Sequence, residues 1–246
     1  MRRALQLPAL GADPASPFPP ASSALREPDG LLAVGGDLSP VRLLNAYRNG
    51  IFPWFSDGQP ILWWSPDPRM VFATDGVRLS SRFRRTLRRS AWTLRADTAF
   101  DAVAAACATV PRPGQHGTWI TAGMRAAYGE LHRLGHAHSV EVFDGDALVG
   151  GIYGVALGRM FFGESMFSGR PGGSKVALAG LARRLRGWGW PLVDAQVESA
   201  HLVSLGAHAM PREEFLRAIA GLVDPPAPGS WTARFGRLPA AELAAA

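Results

Sequence analysis

The amino-acid sequence predicts a mixed α/β (α+β) fold, and the C-terminal half carries most of that prediction. Between residues 138 and 168 the side chains alternate with a period of two, interrupted at Asp144-Gly145 and at Gly158, which is typical of two successive antiparallel hairpins. An amphipathic helical pattern at 174–189 and an apolar strand at 191–197 follow. Strands followed by a helix and a further strand favour a mixed sheet flanked by helices, with one helical crossover packed against it.

The length of the chain predicts two unequal domains. Its 246 residues exceed the usual single domain of about 100–150 residues. The stretch PDPRMVFATDG at 66–76 is predicted to be a hinge, which places a small N-terminal domain at 1–68 and a larger domain at 69–246. Apolar residues make up 47% of the chain, which is enough for a hydrophobic core and excludes a wholly disordered protein.

The sequence also predicts the cellular compartment. No run approaches the roughly 18 apolar residues of a membrane span, and prolines at 8, 14, 17, 19 and 20 interrupt any signal-peptide stretch. The single cysteine, Cys107, excludes an intramolecular disulfide and fits a reducing compartment. We therefore expect a cytoplasmic protein with no membrane partner.

Local signals place the N-terminal elements. Residues 1–30 are rich in Pro, Ala and Ser, which predicts extended coil. Ser39 is a favourable N-cap, Pro40 suits the first helical position and Gly50 ends the helix. The aromatic stretch that follows predicts loops with a short strand at 61–64.

The larger domain begins with helices. Three helical patterns precede the hairpins, two short ones follow the last strand, and a loop separates the second from the third. The helices are predicted at 80–92, 97–110, 119–134, 199–205 and 211–222, and the loop PRPGQHG at 111–117. The alanine-rich tail at 240–246 is predicted to fray.

A run of arginines is the strongest charge signal. The net charge is +6, and six arginines lie within twelve residues without an intervening acid. Arginine forks bind phosphate oxygens bidentately, so the run predicts contacts with a nucleic-acid backbone; the alternative is a solvated helix face. The six are Arg78, Arg82, Arg84, Arg85, Arg88 and Arg89.

Three polar side chains interrupt apolar strands. Glu164 lies near the end of one predicted strand, and Asp194 and Gln196 lie on another, on the same face by the period of two. Acids within apolar strands are rarely buried unless they are paired. Two interpretations remain open: a structural hydrogen bond, or a role in catalysis or ligand orientation.

Aromatic residues supply candidate pocket walls. An apolar pocket with few polar groups suits a hydrophobic side chain or a stacked base, whereas core packing is the alternative for each aromatic residue. We expect no metal site at His132, His136 and His138, because no carboxylate lies at ligand spacing around LHRLGHAHS.

Taken together, the motifs of this sequence resemble the leucyl/phenylalanyl-tRNA–protein transferase family. The resemblance extends over about residues 17–217, and its most specific strings are WWSPDPR at 63–69 and GESMFS at 163–168. Further matching strings are REPDGLLAVGGDLSP, NGIFPWF, TWIT, LVGGIYGVALG, VDAQ and SLGAHAMPREEF.

The resemblance implies an enzyme of the N-end rule degradation pathway. Such an enzyme moves Leu or Phe, and Met less well, from aminoacyl-tRNA to the N-terminal Arg or Lys of an acceptor protein. The larger domain would be GNAT-like, with no cofactor, no acetyl-CoA and no metal. By motif, Asp194 and Gln196 match the pair proposed to assist attack by the amine, and Trp54, Trp119 and Glu164 match a pocket for the aminoacyl side chain and terminal adenosine. We also place Phe161 in that pocket, and we expect the six arginines to contact the tRNA.

Two other functions compete with this one. A GNAT-type acetyltransferase would need a pyrophosphate-binding signature that is not clear after the strand at 159–167. A catalytically inactive RNA-binding module would keep the arginine run and have no use for Asp194 and Gln196. Whether Asp194 would be a general base or a positioning group stays open at the level of sequence.

Overall fold

The computed structural model describes residues 7–109, 118–224 and 229–245, so the loop predicted at 111–117 lies outside the described residues. Twelve strands are described: β1 Ala9–Leu10, β2 Leu31–Gly35, β3 Phe52–Pro53, β4 Leu62–Trp64, β5 Arg69–Ala73, β6 Thr93–Ala96, β7 Ala137–Asp144, β8 Ala147–Leu157, β9 Met160–Ser168, β10 Leu192–Gln196, β11 His208–Met210 and β12 Leu238–Pro239. The α-helices are α1 Pro40–Arg48, α2 Ser81–Leu87, α3 Phe100–Thr109, α4 Ala122–Arg133, α5 Gly173–Gly187, α6 Ala200–Ser204, α7 Arg212–Ala220 and α8 Trp231–Phe235. Short 3-10 helices are at Ala21–Ser23 and Ala240–Ala245.

The N-terminal region forms a four-stranded sheet in the order β1-β2-β4-β3. Helix α1 follows β2 and has the predicted ends. The Ser39 side chain accepts a hydrogen bond from the backbone N–H of Arg42, and Pro40 occupies the first turn. Gly50 has φ +68°, a conformation that glycine adopts without steric cost at the end of a helix.

The larger sheet has eight strands in the order β11-β5-β10-β9-β8-β7-β6-β12. The predicted meander is confirmed, since β7, β8 and β9 pair antiparallel in sequence order. Strand β10 then pairs parallel with β9, and α5 is the crossover between them. The mixed α/β fold predicted from the sequence is therefore correct.

Helix α5 packs very closely on β8. A Cβ atom on Gly173 would lie 2.2 Å from the carbonyl oxygen of Val149, and a Cβ on Gly150 would lie 2.5 Å from the Gly173 backbone. Only glycine fits at such a distance. Glycine in the sequence GRPGGSK at 169–175 thus allows close backbone contact between helix and sheet.

The stretch predicted as a hinge contains an interior strand of the larger sheet. Residues Arg69–Ala73 form β5, which pairs antiparallel with both β10 and β11. Pro68 and Asp75-Gly76 flank the strand, and four of its five residues are buried. Strand β6 and the edge strand β11 were also not predicted.

The ends of the chain are more ordered than the sequence predicts. The tail predicted to fray is a 3-10 helix in which Ala240, Leu243 and Ala244 are buried. Strand β12 pairs with β6 just before it. Near the N-terminus, β1 pairs parallel with β2, although coil was predicted there. In the C-terminal 3-10 helix, Leu243 and the two alanines are buried because neighbouring parts of the protein cover them.

The eight-stranded sheet separates two hydrophobic cores. The first core lies against α1, α3, α4 and α7, and it includes Tyr47, Trp63 and Phe162. The second lies against α5 and α8 and includes Phe161 and Trp231. Buried residues of the four-stranded sheet belong to the first core, so both sheets share it. The domain boundary at 68/69 falls between the sheets and stays a prediction.

Candidate active site

A buried polar network lies on the first-core side of the sheet, centred on Glu164. Opposite Glu164 the register of β9 against β8 shifts by one residue, since Tyr153 pairs with Ser165 and Gly154 pairs with Gly163. Glu164 is therefore the extra residue of a β-bulge. Bulges redirect a side chain out of the regular alternation.

Three donors converge on the Glu164 carboxyl. The Tyr47 hydroxyl donates to Oε1 at 2.7 Å, and the Gln196 carboxamide donates to the same oxygen at 2.8 Å. The Tyr128 hydroxyl donates to Oε2 at 2.9 Å. The two tyrosine hydroxyls also contact each other. Helices α1 and α4, the bulge in β9 and the end of β10 each supply one side chain.

Burial raises the pKa of Glu164 from its usual 4.5 to about 7, and the negative charge of Asp194 acts in the same direction. The hydrogen bonds from Tyr47, Tyr128 and Gln196 oppose the increase because they favour the charged form. Burial, together with the adjacent Glu164, raises the pKa values of both tyrosines well above their usual range. The tyrosines therefore remain neutral donors near pH 7.

A second pair, Arg69 and Asp194, lies beside this network. The guanidinium donates from Nε to Oδ1 at 2.8 Å and from Nη2 to Oδ2 at 2.7 Å. Its Nη1 donates to the Gly50 carbonyl at 3.1 Å. The Phe52 and Phe215 rings lie 4.7 and 4.8 Å from the guanidinium carbon. Both charged side chains are fully buried, so the pair is held by a bidentate contact in an apolar surrounding.

The backbone connects the pair to the network. A register irregularity lies between Asp194 and Gln196, and Gln196 has φ +63°, an uncommon conformation for a residue with a side chain. The Gln196 N–H donates to Asp194 Oδ1 at 2.9 Å. Asp194 therefore fixes the conformation of the residue whose carboxamide contacts Glu164.

Trp54 and Trp119, which the sequence analysis placed in one pocket, line a common groove. This groove has a volume of about 470 Å³ and is also lined by Phe55, Leu62 and Trp64. The Trp64 indole donates to the Trp54 carbonyl at 2.7 Å. Glu164 is not among the lining residues, although Trp54 and Trp119 pack against the same core as Tyr47 and Tyr128.

Phe161 lies away from the groove lined by Trp54 and Trp119. Its side chain belongs to the second core, is 1% exposed, and lies with its ring centroid 5.8 Å from that of Trp231. Adjacent strand residues face opposite sides of a sheet, so Phe162, not Phe161, is on the side of Glu164. The structure does not bring Phe161 to the groove.

The arginine run lies on a shorter helix than predicted. Helix α2 spans Ser81–Leu87, Ser80 caps it and Arg88 ends it, because Arg89 and Ser90 bond back into a turn. Four arginines line an open groove of about 920 Å³ together with Phe83, Trp92 and Pro171: Arg82, Arg85, Arg88 and Arg89.

The other two arginines are placed differently. Arg78 precedes the helix, with its N–H bonded to the Leu205 carbonyl, and the Arg84 guanidinium Nε donates to the Leu79 carbonyl at 2.9 Å. Neither lines the groove. Within the described ranges, no ion pair with a carboxylate involves any of the four groove arginines.

Sequence reasoning missed three site residues: Arg69, Tyr47 and Tyr128. A signal existed for Arg69, since a single arginine opens the apolar run RMVFA and a buried arginine requires an acid. No local signal marked the tyrosines, because each lies on the apolar face of an amphipathic helix.

Comparisons with known proteins identify relatives over nearly the whole chain. The family model "Leucyl/phenylalanyl-tRNA protein transferase" matches residues 71–220, and the model of that family's N-terminal domain matches residues 36–67. Three relatives carry the name leucyl/phenylalanyl-tRNA–protein transferase. The protein of Xanthomonas euvesicatoria is 70% identical over 95% of this chain and 94% of the relative. The protein of Xanthomonas campestris is 70% identical over 96% and 95%. That of Xylella fastidiosa is 63% identical over 95% and 97%.

Proposed function

The chain belongs to the leucyl/phenylalanyl-tRNA–protein transferase family, and from this premise we propose how its buried network serves aminoacyl transfer from tRNA to a protein. The enzyme catalyses aminolysis of an ester. The amine nitrogen of the acceptor attacks the aminoacyl carbonyl carbon, a peptide bond forms, and the ester bond to the tRNA ribose breaks. The attacking amine must first lose a proton, because it is an ammonium at neutral pH.

Differences in exposure assign roles within the network. Gln196 and Glu164 are 8% and 9% exposed, whereas Arg69 and Asp194 are 0% exposed. Gln196 and Glu164 are therefore the more accessible residues of the network, and Asp194 is enclosed. We propose that Gln196 forms hydrogen bonds with the reacting groups. We propose that Glu164 accepts the proton or orients the acceptor, because its pKa near 7 suits proton exchange at neutral pH.

Asp194 acts through its neighbours in this proposal. Both of its oxygens accept hydrogen bonds from Arg69, and Oδ1 also accepts from the Gln196 N–H. The Asp194 carboxylate is also fully buried and paired with a guanidinium, so it is poorly placed to take a proton from a substrate. Asp194 is thus a positioning residue that holds Gln196 in its left-handed conformation.

The aromatic groove suits the donor end of the reaction. Trp54 and Trp119 offer apolar faces that fit a Leu or Phe side chain, neither of which is branched at Cβ, or the terminal adenine by stacking. We include Met as a weaker donor on the same grounds. Trp119→Ala is expected to change the preference among these donors while the protein remains folded.

The groove along α2 suits the tRNA backbone. Four arginines without a carboxylate partner in the described chain lie along it, and arginine binds phosphate bidentately. Replacing Arg82, Arg85 and Arg88 with alanine is expected to reduce the slope of log Kd against log salt by about one per lost contact. Arg186→Ala, at the opposite end of α5 from Pro171, is the matched control and should leave the slope unchanged.

We further propose that the acceptors are proteins with N-terminal Arg or Lys and that the reaction marks them for N-end rule degradation in the cytoplasm. The acids near the network offer a partner for a cationic side chain. Among the described residues no helix is long and apolar enough to cross a membrane.

The buried Glu164 carboxyl with three converging donors carries this proposal, and one experiment tests it. Labelled Leu on charged tRNA is supplied with two short peptides, one beginning with Arg and one with Ala. Transfer to the Arg peptide alone supports the proposal. Transfer to neither peptide by a folded protein that binds tRNA would refute it.

Variants separate the assigned roles. Gln196→Ala and Asp194→Asn should each lower kcat with little change in KM for the peptide, since neither residue is assigned to hold the acceptor. Exposed Glu198→Gln is the control and should retain wild-type rates. A large rise in KM at unchanged kcat would contradict the positioning role of Asp194.

A further inference from the structure

A second polar cluster lies away from the Glu164 network, on the other side of Phe100 and Tyr153. It consists of Asp97 after β6, His132 in the last turn of α4 and His138 in β7. One ligand atom from each residue lies within 4.8 Å of the other two. His138 Nδ1 is 2.7 Å from Asp97 Oδ2, and His132 Nδ1 is 3.9 Å from Asp97 Oδ1.

We propose that Asp97, His132 and His138 bind a divalent transition-metal ion, with Zn²⁺ as the best match. Two imidazoles and one carboxylate are a donor set that zinc accepts, whereas Mg²⁺ and Ca²⁺ take oxygen ligands. A tetrahedral zinc ion with bonds of about 2.0–2.2 Å sets its ligand atoms about 3.4 Å apart. The 2.7 Å between His138 Nδ1 and Asp97 Oδ2 is shorter than this value, and the 3.9 Å between His132 Nδ1 and Asp97 Oδ1 is longer. To bind an ion, His138 and Asp97 must move slightly apart and one Asp97 oxygen must turn toward both rings.

The surrounding hydrogen bonds already orient these ligands. His138 Nε2 faces the Gly135 carbonyl at 3.2 Å, which leaves Nδ1 for the ion if Nε2 carries the proton. Asp97 Oδ1 accepts from the Ser139 N–H at 2.9 Å, and Oδ2 faces His138. Ligating histidines and carboxylates are usually held by such outer contacts.

Aromatic stacking fixes both rings. The His132 ring stacks on Phe100 with centroids 4.2 Å apart, and the His138 ring stacks on Trp231, also at 4.2 Å. His138 is 6% exposed. Asp97 adopts φ +58°, a strained conformation. It is held because the Asp97 N–H donates to the Ser139 carbonyl and the Ser139 N–H donates to Asp97 Oδ1. The donors are therefore preorganised.

Metal binding replaces protons in this cluster. His138 Nδ1 and Asp97 Oδ2 are close enough to share a proton, and His132 Nδ1 contacts the Ala137 carbonyl at 2.8 Å. An ion bound to both Nδ1 atoms displaces these protons to solvent.

The site is structural and not part of the transfer chemistry. His132 follows Tyr128 by one turn of α4, so an ion bound there stabilises the end of the helix that carries a Glu164 donor. The proposal does not depend on the transferase function, because it rests on residues outside the substrate grooves.

The test uses the full-length protein without a histidine tag, stripped of metal by a chelator. Titration with Co²⁺ should give visible absorption bands of a nitrogen- and oxygen-ligated ion that saturate at one equivalent. Calorimetry with Zn²⁺ should give the same stoichiometry. A hundredfold excess of Zn²⁺ over its Kd should raise the melting temperature by about 5–10 °C.

Matched variants locate the ion. Asp97→Asn and His132→Gln should each weaken Zn²⁺ binding by more than about tenfold, since even outer contacts contribute that much. His132 is the less buried histidine of the cluster, so its variant is the one expected to remain folded. His208→Gln, on exposed β11, should bind as the wild type does. Absence of saturable binding, or equal binding by all three variants, would overturn the proposal.

Discussion

Replacing Glu164 with glutamine is expected to make the stability of the protein less dependent on pH. The pKa of Glu164 is raised from 4.5 to about 7 in the folded protein, so the unfolded chain loses this proton first as the pH rises. The contribution of Glu164 to stability is therefore fully present below pH 4.5 and is lost as the pH rises through about 7. One pKa unit corresponds to about 1.4 kcal/mol, so the loss is about 3 kcal/mol.

Glutamine carries no charge at any pH and lacks this loss. Between pH 4.5 and pH 8 the difference in unfolding free energy between Glu164→Gln and the wild type should therefore move by about 3 kcal/mol in favour of the variant. Other titrating groups contribute equally to both proteins and cancel in the difference. Changed hydrogen bonding to Tyr47 and Tyr128 shifts the difference by a constant at all pH values.

Urea denaturation at several pH values between 4.5 and 8 measures this difference. Exposed Glu198→Gln serves as the control, and its difference from the wild type should be nearly flat. The same Glu164→Gln protein should transfer Leu more slowly, since it can no longer accept a proton. A difference that stays constant across the range would show that Glu164 is not destabilised as a charge, and the burial argument would be refuted.

Three further substitutions test other parts of the fold by denaturation. Arg69→Met leaves the Asp194 carboxylate buried and unpaired and should cost about 3–5 kcal/mol, part of which Asp194→Asn in the same chain should restore; an additive double variant would contradict the pairing. Gly173→Ala places a Cβ 2.2 Å from the Val149 carbonyl oxygen and should cost about 1–3 kcal/mol, so an unchanged melting temperature would disprove the close approach. Leu243→Ala should cost about 2–5 kcal/mol because the side chain is buried, whereas a frayed tail would give no change.

Much of the fold follows from local patterns. The alternation over 138–168, with turns at Asp144-Gly145 and Gly158, predicted β7, β8 and β9 because the two turn signals divide a strand-forming stretch into three. The cap at Ser39 and the glycine at Gly50 predicted α1. Strand β5 was missed because it is buried on both faces and shows no alternation.

The site was harder to predict than the fold. Glu164, Asp194 and Gln196 stood out as polar residues in apolar strands, and all three lie in one network. Their partners could not be found in the same way, because Tyr47 and Tyr128 resemble ordinary core residues of amphipathic helices. Arg69 lies 125 residues from Asp194, and only the pairing of β5 with β10 brings them together.

Phe161 and the proposed metal ligands show the same limit of local reasoning. The period of two predicts that Phe161 and Phe162 face opposite sides of the sheet. It does not predict which side holds the site. The carboxylate beside His132 and His138 comes from Asp97, which directly follows β6. Contacts between distant segments therefore decided both outcomes.

The pairing of β5 with β10 also orders events during synthesis on the ribosome. At elongation rates of about 5–20 residues per second, Arg69 emerges about 6–25 s before Asp194. Until then the guanidinium has no carboxylate partner, and the first core lacks the strands that close it. The nascent chain accordingly remains inactive until most of its length has been translated, and the reactive centre is among the last features to form.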